Sequence, residues 1–193
     1  LPRTGTYPFV ASLDHLGPFA RSVRDLALAY DLMQGWSADD PGCVERGVEA
    51  ASPSLESGEM SKPRIAVLGG WWKSMADADA QAAVALVAEA LEIQREVSLP
   101  EVPRARAAAF LITNAEGANL HLDDLRTRAA DFEPLSRDRF LAGALLPASW
   151  VLQAQRVRRW FACEVAKVFA DVDVLIAPAT PCVAPLLGTE WLV

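Results

Sequence analysis

Few of the 193 residues carry chemistry by their type and spacing. His15 and His121 are the only histidines and stand far apart in sequence; Cys43, Cys163 and Cys182 are widely spaced, with no C-x-x-C between them. Such a set gives no sequence-local zinc site. An odd number of scattered thiols fits a reducing compartment better than a disulfide framework. Polar groups concentrate in "ITNAEGANLH", where Asn114, Glu116 and Asn119 could sit on a pocket-facing turn of helix that His121 follows. There His121 could contact a substrate or orient a water. The plainer reading is the solvated face of an alanine-rich helix, with a structural histidine at its end. Thr180 stands between Pro178 and Pro181 behind an apolar run, at a strand end where α/β folds place ligands; the plainer reading is a rigid turn leaving the sheet. Cys182 has no local histidine or helix N-terminus to activate it and reads as an inert thiol. Trp71 and Trp72 read as core or interface aromatics.

Composition excludes several functions. With 52% hydrophobic and 22% charged residues the chain is globular rather than disordered. A net charge of −7 supplies no basic surface for a phosphate backbone, so no nucleic acid is expected as a partner. No apolar run reaches the roughly 18 residues needed to span a bilayer, so no membrane partner is expected either. The cytoplasm is the expected address.

The elements that must position these residues follow from periodicity. Residues 1–21 are a Gly- and Pro-rich loop. "SVRD" at 22–25 resembles a capping box, and Phe19, Val23, Leu26, Tyr30 and Met33 share one helical face before Gly35 stops the helix. Residues 38–62 read as an exposed connection with one short helix. "RIAVLGG" (64–70), a helix with an Asp start over 76–93 and "REVSLPE" (95–101) make a βαβ unit. Helical order follows over 103–121 and in part over 122–147. The longest helix is predicted at 148–169, with Trp150, Ala154, Val157, Phe161, Val165 and Val168 as its buried stripe. It leads to a β-branched strand over 172–178. The class is α/β.

"SLDHLGPFARSVRDLALAYDLMQG" (12–35) resembles the segment of amidase signature hydrolases that reads S-x-D-x-x-G-P-x-A-R-[ST]-V-R-D before a helix and a glycine. The matching residues are Ser12, Asp14, Gly17, Pro18, Ala20, Arg21, Ser22, Val23, Arg24 and Asp25. "FADVDVLIAPATPCVAP" is similar to a later core strand of the family, and "AEGANLH" and "RDRFLAGA" resemble segments that line its acyl-substrate pocket. The resemblance covers essentially the whole chain. Within the family, "LPRTGTYPFVASLDHLGPF", "RDRFLAGALLPASWVLQAQRVRRWF" and "APATPCVAP" look most like the 1-carboxybiuret hydrolase branch.

The resemblance implies a large mixed β-sheet flanked by helices. It also implies hydrolysis of C–N amide bonds by a Ser–cis-Ser–Lys triad through an acyl-enzyme, with no metal or organic cofactor. The branch implies a small carboxylated urea derivative as substrate, with release of ammonia, and pairing with a small helical accessory subunit in a heteromer. That chemistry needs a lysine upstream of a Gly/Ser-rich loop, and the only lysines are Lys62, Lys73 and Lys167. No residue here matches a triad position. Residues 1–193 are therefore expected to be a partial amidase domain without its N-terminal catalytic half, inactive alone. Arg139 matches a position where related amidotransferase-type members hold a substrate carboxylate; a planar guanidinium offers that group two parallel bonds. The alternative for Arg139 is a salt bridge to Asp138 or Glu133. Asp14 and Arg21 are expected to brace a turn. Competing readings of the whole are a glutamyl-tRNA amidotransferase A-like or general amidase and, in a different class, a non-catalytic interaction module.

Overall fold

The computed structural model describes residues 1–57 and 62–188, so part of the expected 38–62 connection lies outside the described residues. Ser22 starts the first helix as expected: its Oγ accepts the Asp25 amide at 3.1 Å, and α1 runs Val23–Met33. A six-residue helix, α2 (Ser52–Ser57), follows; the Asp31 carboxylate of α1 accepts the amides of Ala51 and Ser52 at 2.7 and 3.0 Å.

The chain divides into two compact units. One, Lys62–Ala107 with Arg156–Val193, is built on β1 (Ile65–Leu68), β2 (Glu96–Val97) and β3 (Val174–Ile176). Among the described residues these form a three-stranded, all-parallel sheet in the order β2-β1-β3. The α/β class holds. The piece of sheet supplied here is small and parallel, and both outer strands are shorter than their apolar runs. The crossover from β1 to β2 contains α3 (Trp71–Met75) and α4 (Ala78–Ala90), and Asp77 caps α4 by accepting the Ala80 amide at 2.8 Å. Ala66 and Leu68 of β1 alternate into the interior. The Asp-Val-Asp stretch before β3 explains itself residue by residue. Val172 is buried, the Asp171 carbonyl accepts from Arg95 at 3.0 Å, and Asp173 takes Arg64 in a two-pronged pair, Nη2 to Oδ1 2.7 Å and Nε to Oδ2 3.1 Å. The guanidinium holds the Asp173 carboxyl down at about 2, and the pair pins the starts of the neighbouring strands β1 and β3.

The other unit, Leu1–Ser61 with Ala108–Gln155, is helical. It contains α1, α2, most of α5 (Val102–Leu120), α6 (Leu122–Arg128), a 3-10 turn at Ala129–Asp131, α7 (Pro134–Ala144) and the start of α8 (Ala148–Phe169). Its centre is Ala118, Leu125 and Phe140 with Phe132 packed against them. On α8 the expected stripe has the right period, yet only Ala154 is buried and Trp150 is 56% exposed. Phe19 and Val23 of the expected α1 face are exposed as well. Val157, Phe161, Val165 and Val168 of the α8 stripe are half-buried. No described helix is long and apolar enough to cross a membrane.

Candidate functional site

Asn114, Glu116, Arg139 and His121 fall in the helical unit, whereas Thr180 falls in the sheet unit. The first four gather where α5 meets α7 and the loop of residues 7–14. α7 approaches α5 through two glycines: a Cβ at Gly143 would fall on the backbone carbonyl of Asn114, and one at Gly117 on the Phe140 ring. That close crossing sets the site.

His121 closes α5 inside an aromatic cage. Its ring lies 5.4 Å from Tyr7 and 5.4 Å from Phe140 in stacked geometry, with Phe132 edge-on at 5.8 Å. Nε2 is 3.0 Å from the Pro8 carbonyl, which can only accept, so the proton is assigned to Nε2. The Tyr7 hydroxyl stands 3.5 Å from Nδ1 as its available donor. Both ring nitrogens are thus engaged within the chain.

Glu116 is engaged too. Its carboxylate accepts the Ser12 amide at 2.9 Å and the Ser12 hydroxyl at 2.7 Å, with Gln155 Nε2 at 3.5 Å. Asp14 accepts the amides of Phe9 and Val10 at 2.8 and 2.9 Å, which closes the loop on itself. Asp14 therefore does brace a turn, through backbone amides; Arg21 is exposed and plays no part in it.

The Arg–Asp brace of this loop uses other residues, Arg3 and Asp40, which sequence reasoning missed. Arg3 Nη2 and Nε donate to the two oxygens of Asp40 at 2.6 and 3.0 Å, while Nη1 donates to the Ala11 carbonyl at 2.6 Å. Asp40 also accepts the amides of Arg3 and Gly42, each at 2.9 Å. "DPG" at 40–42 is an Asx-turn signature that could have flagged Asp40. Arg3 of the pair borders a cavity of about 420 Å³ with Ser12, His15 and Cys43, and none of Asn114, Glu116, His121 or Arg139 lines it.

The Arg3 guanidinium, followed by the Arg3 amide, holds the Asp40 carboxyl far below the ordinary carboxylate range; Ser52 and the Ala51 amide lower Asp31. A carboxyl lowered in the folded state stabilises it fully above the unfolded value near ~4 and loses that contribution as pH falls through the folded value. The melting temperature is therefore expected to drop as pH falls from about 4 towards 2. Asp40→Asn should melt lower at neutral pH and show a shallower acid drop. Parallel acid profiles for the two proteins in thermal scans followed by circular dichroism would remove Asp40 from this account.

Arg139 differs from these anchors. Its guanidinium lies over the Phe110 ring at 5.8 Å, and among the described residues it makes no hydrogen bond or ion pair. Asp138 pairs instead with Arg137 at 2.9 Å, and the Glu133 carboxylate accepts the amides of Leu135 and Ser136, the first cause of its lowered pKa. In the sheet unit the Thr180 hydroxyl donates to the Cys182 carbonyl at 2.8 Å, within a proline-bounded turn beside Trp71 and Trp72. Cys43, Cys163 and Cys182 are free thiols, and no cluster of metal-ligating residues occurs among the described residues.

The family described as Amidase matches residues 1–191. The chain belongs to the amidase family. Among the relatives of this amidase chain is the AtzE subunit of 1-carboxybiuret hydrolase from Pseudomonas sp. (strain ADP), 53% identical over 192 residues, which cover 100% of this chain and 42% of the relative. Another, the A-type subunit of glutamyl-tRNA(Gln) amidotransferase from Roseiflexus sp. (strain RS-1), is 32% identical over 215 residues, covering 97% and 44%. A solved structure described as an unexpected vestigial protein complex that reveals the evolutionary origins of an s-triazine catabolic enzyme, with inhibitor bound, superposes with a TM-score of 0.92. It shares 53% identity and covers 100% of this chain and 42% of that one. The amidase chain thus spans less than half the length of the relatives it matches.

Proposed function

We propose that the complete protein hydrolyses the C–N amide bond of a small carboxylated urea derivative such as 1-carboxybiuret, releasing ammonia. The observation that carries this reading is 53% identity along the whole chain to one subunit of a 1-carboxybiuret hydrolase. The Ser–cis-Ser–Lys chemistry is assigned to the part of the relatives' length that residues 1–193 do not span, which makes this chain a partial amidase domain. Its contribution is to hold the substrate and to frame the nucleophile. Glu116 and His121 act through the 7–14 loop that they anchor, and Thr180 acts through its turn. Arg139, resting on Phe110 near Glu133 but in no ion pair with it, binds the substrate carboxylate. A small helical accessory subunit completes the assembly, in keeping with the neighbouring structure described as a protein complex.

In the complete protein, Arg139→Ala is expected to lower kcat/KM for a carboxylated substrate roughly 10–100-fold, the range of a lost charge-assisted pair. A neutral amide of similar size should lose much less. Arg139→Lys should recover little, because an ammonium cannot present two parallel donors. Ammonia release measured on both substrates decides the point, and equal losses on the two would assign Arg139 to the framework.

A further inference from the structure

Parallel pairing of β1 with β3 brings the ends of both strands to one edge of the sheet, the edge where α/β folds bind ligands. Two turns leave that edge. The chain leaves β1 through Gly70, whose φ of 59° suits a residue without a Cβ, and enters α3 at Trp71. Beyond β3, the turn between Pro178 and Pro181 is tied to the start of α4 by the Asp77 amide, which donates to the Pro181 carbonyl at 2.8 Å. A cavity of about 210 Å³ lies here, with Trp71, Trp72, Met75 and Arg106 lining it beside the proline-bounded turn. The Trp71 and Trp72 rings meet edge to face at 5.5 Å, and the Arg106 guanidinium lies over Trp71, 5.8 Å from the ring centre. All of these residues belong to the sheet unit.

The polar groups of this cavity are one-sided. Among the described residues Arg106 makes no hydrogen bond or ion pair, and neither indole N–H donates a hydrogen bond. No carboxylate lines the cavity, the Thr180 hydroxyl donates to the Cys182 carbonyl, and the Pro181 carbonyl accepts from Asp77. Donors without partners therefore meet flat aromatic surface, which complements a planar anion. The volume lies below the roughly 300–1,000 Å³ of drug-sized sites, so a single ring is the size that fits. We infer that this cavity binds a small planar carboxylate, its ring against the tryptophans and its carboxylate on Arg106. The site does not depend on the role given to Arg139.

The test uses the complete protein and 4-fluorobenzoate, followed by ligand-observed fluorine NMR, a readout that needs no turnover. The comparison probe is 4-fluoroacetophenone, which is planar, neutral and not an amide. The wild type should bind the benzoate roughly tenfold more tightly than the ketone, the scale of one charge-assisted hydrogen bond. Arg106→Gln should weaken the benzoate about tenfold and leave the ketone within about twofold. Trp71→Leu should weaken both probes about threefold through lost ring contact. Ala179→Leu adds bulk at the cavity wall while keeping Trp71, Trp72 and Arg106, and it should also weaken both. This last variant decides the matter if Trp71→Leu folds poorly. The site is overturned if the wild type shows no binding of the benzoate at millimolar concentration, or if the benzoate binds the Arg106 and Ala179 variants as well as it binds the wild type. Equal losses for the two probes in Arg106→Gln would overturn it too, because the guanidinium would then shape the wall without holding the anion. Ammonia release tests the hydrolase reading separately, so either can fail without the other.

Discussion

Phe140→Ala is expected to destabilise the helical unit by about 3–5 kcal/mol, the range for emptying a buried aromatic position. Phe140 is 3% exposed and belongs to the central cluster with Ala118 and Leu125. Its ring also lies 5.2 Å from Phe9 and 5.4 Å from His121, so it supports the 7–14 loop and the end of α5 together. Gly117 leaves no side chain to move into the void, and the site cannot collapse easily. The loss should therefore appear as faster hydrogen exchange at residues 7–14 as well as on α7, with a lower melting temperature. Phe140→Leu should recover much of it. Exchange that speeds up on α7 alone would show that the loop depends on Glu116 and the Pro8–His121 bond without the aromatic cage.

Gly143→Val is expected to cost about 3 kcal/mol, the upper end of what overpacking does. Most such insertions can be absorbed by a neighbouring side chain that swings aside. Here the first atom added would fall on the backbone carbonyl of Asn114 in the middle of α5, and a helix backbone has no rotamer to change. The two helices must separate, which displaces Asn114 and Arg139 along with the cage. Gly143→Ala should show the same effect in smaller measure. In the complete protein, ammonia release from a carboxylated substrate should fall in step with the melting temperature. A valine variant with wild-type stability would mean that α7 is free to slide on α5.

Much of the fold was legible because it is written in local chemistry. Ser22 and Asp77 announce helix starts through oxygens that accept amides three residues on. β1 and α4 follow from a short β-branched run and an alanine-rich stretch. The strands' lengths were not legible, since an apolar run records what is buried and not how many residues pair. The α8 stripe shows the same limit: its period is right, while its cover is set by what packs on it. At the site, the sequence singled out Asn114, Glu116 and His121 from one short segment, and the structure gathers them at one crossing. It could not tell that Glu116 and His121 point at Ser12 and Pro8, because those contacts link residues more than a hundred positions apart. Arg3–Asp40 is also a non-local contact, across 37 positions, and stayed hidden except for the turn signature at Asp40.

Those long separations also set an order of events in the cell. Ser12 lies 104 residues before Glu116, and Pro8 lies 113 before His121. At about 5–20 residues per second of synthesis, the 7–14 loop waits roughly 5–20 s before its anchors exist. In that interval it has only the nearer Asp14 and Asp40 contacts to hold it. The 7–14 loop is thus made about a hundred residues ahead of the contacts that fix it.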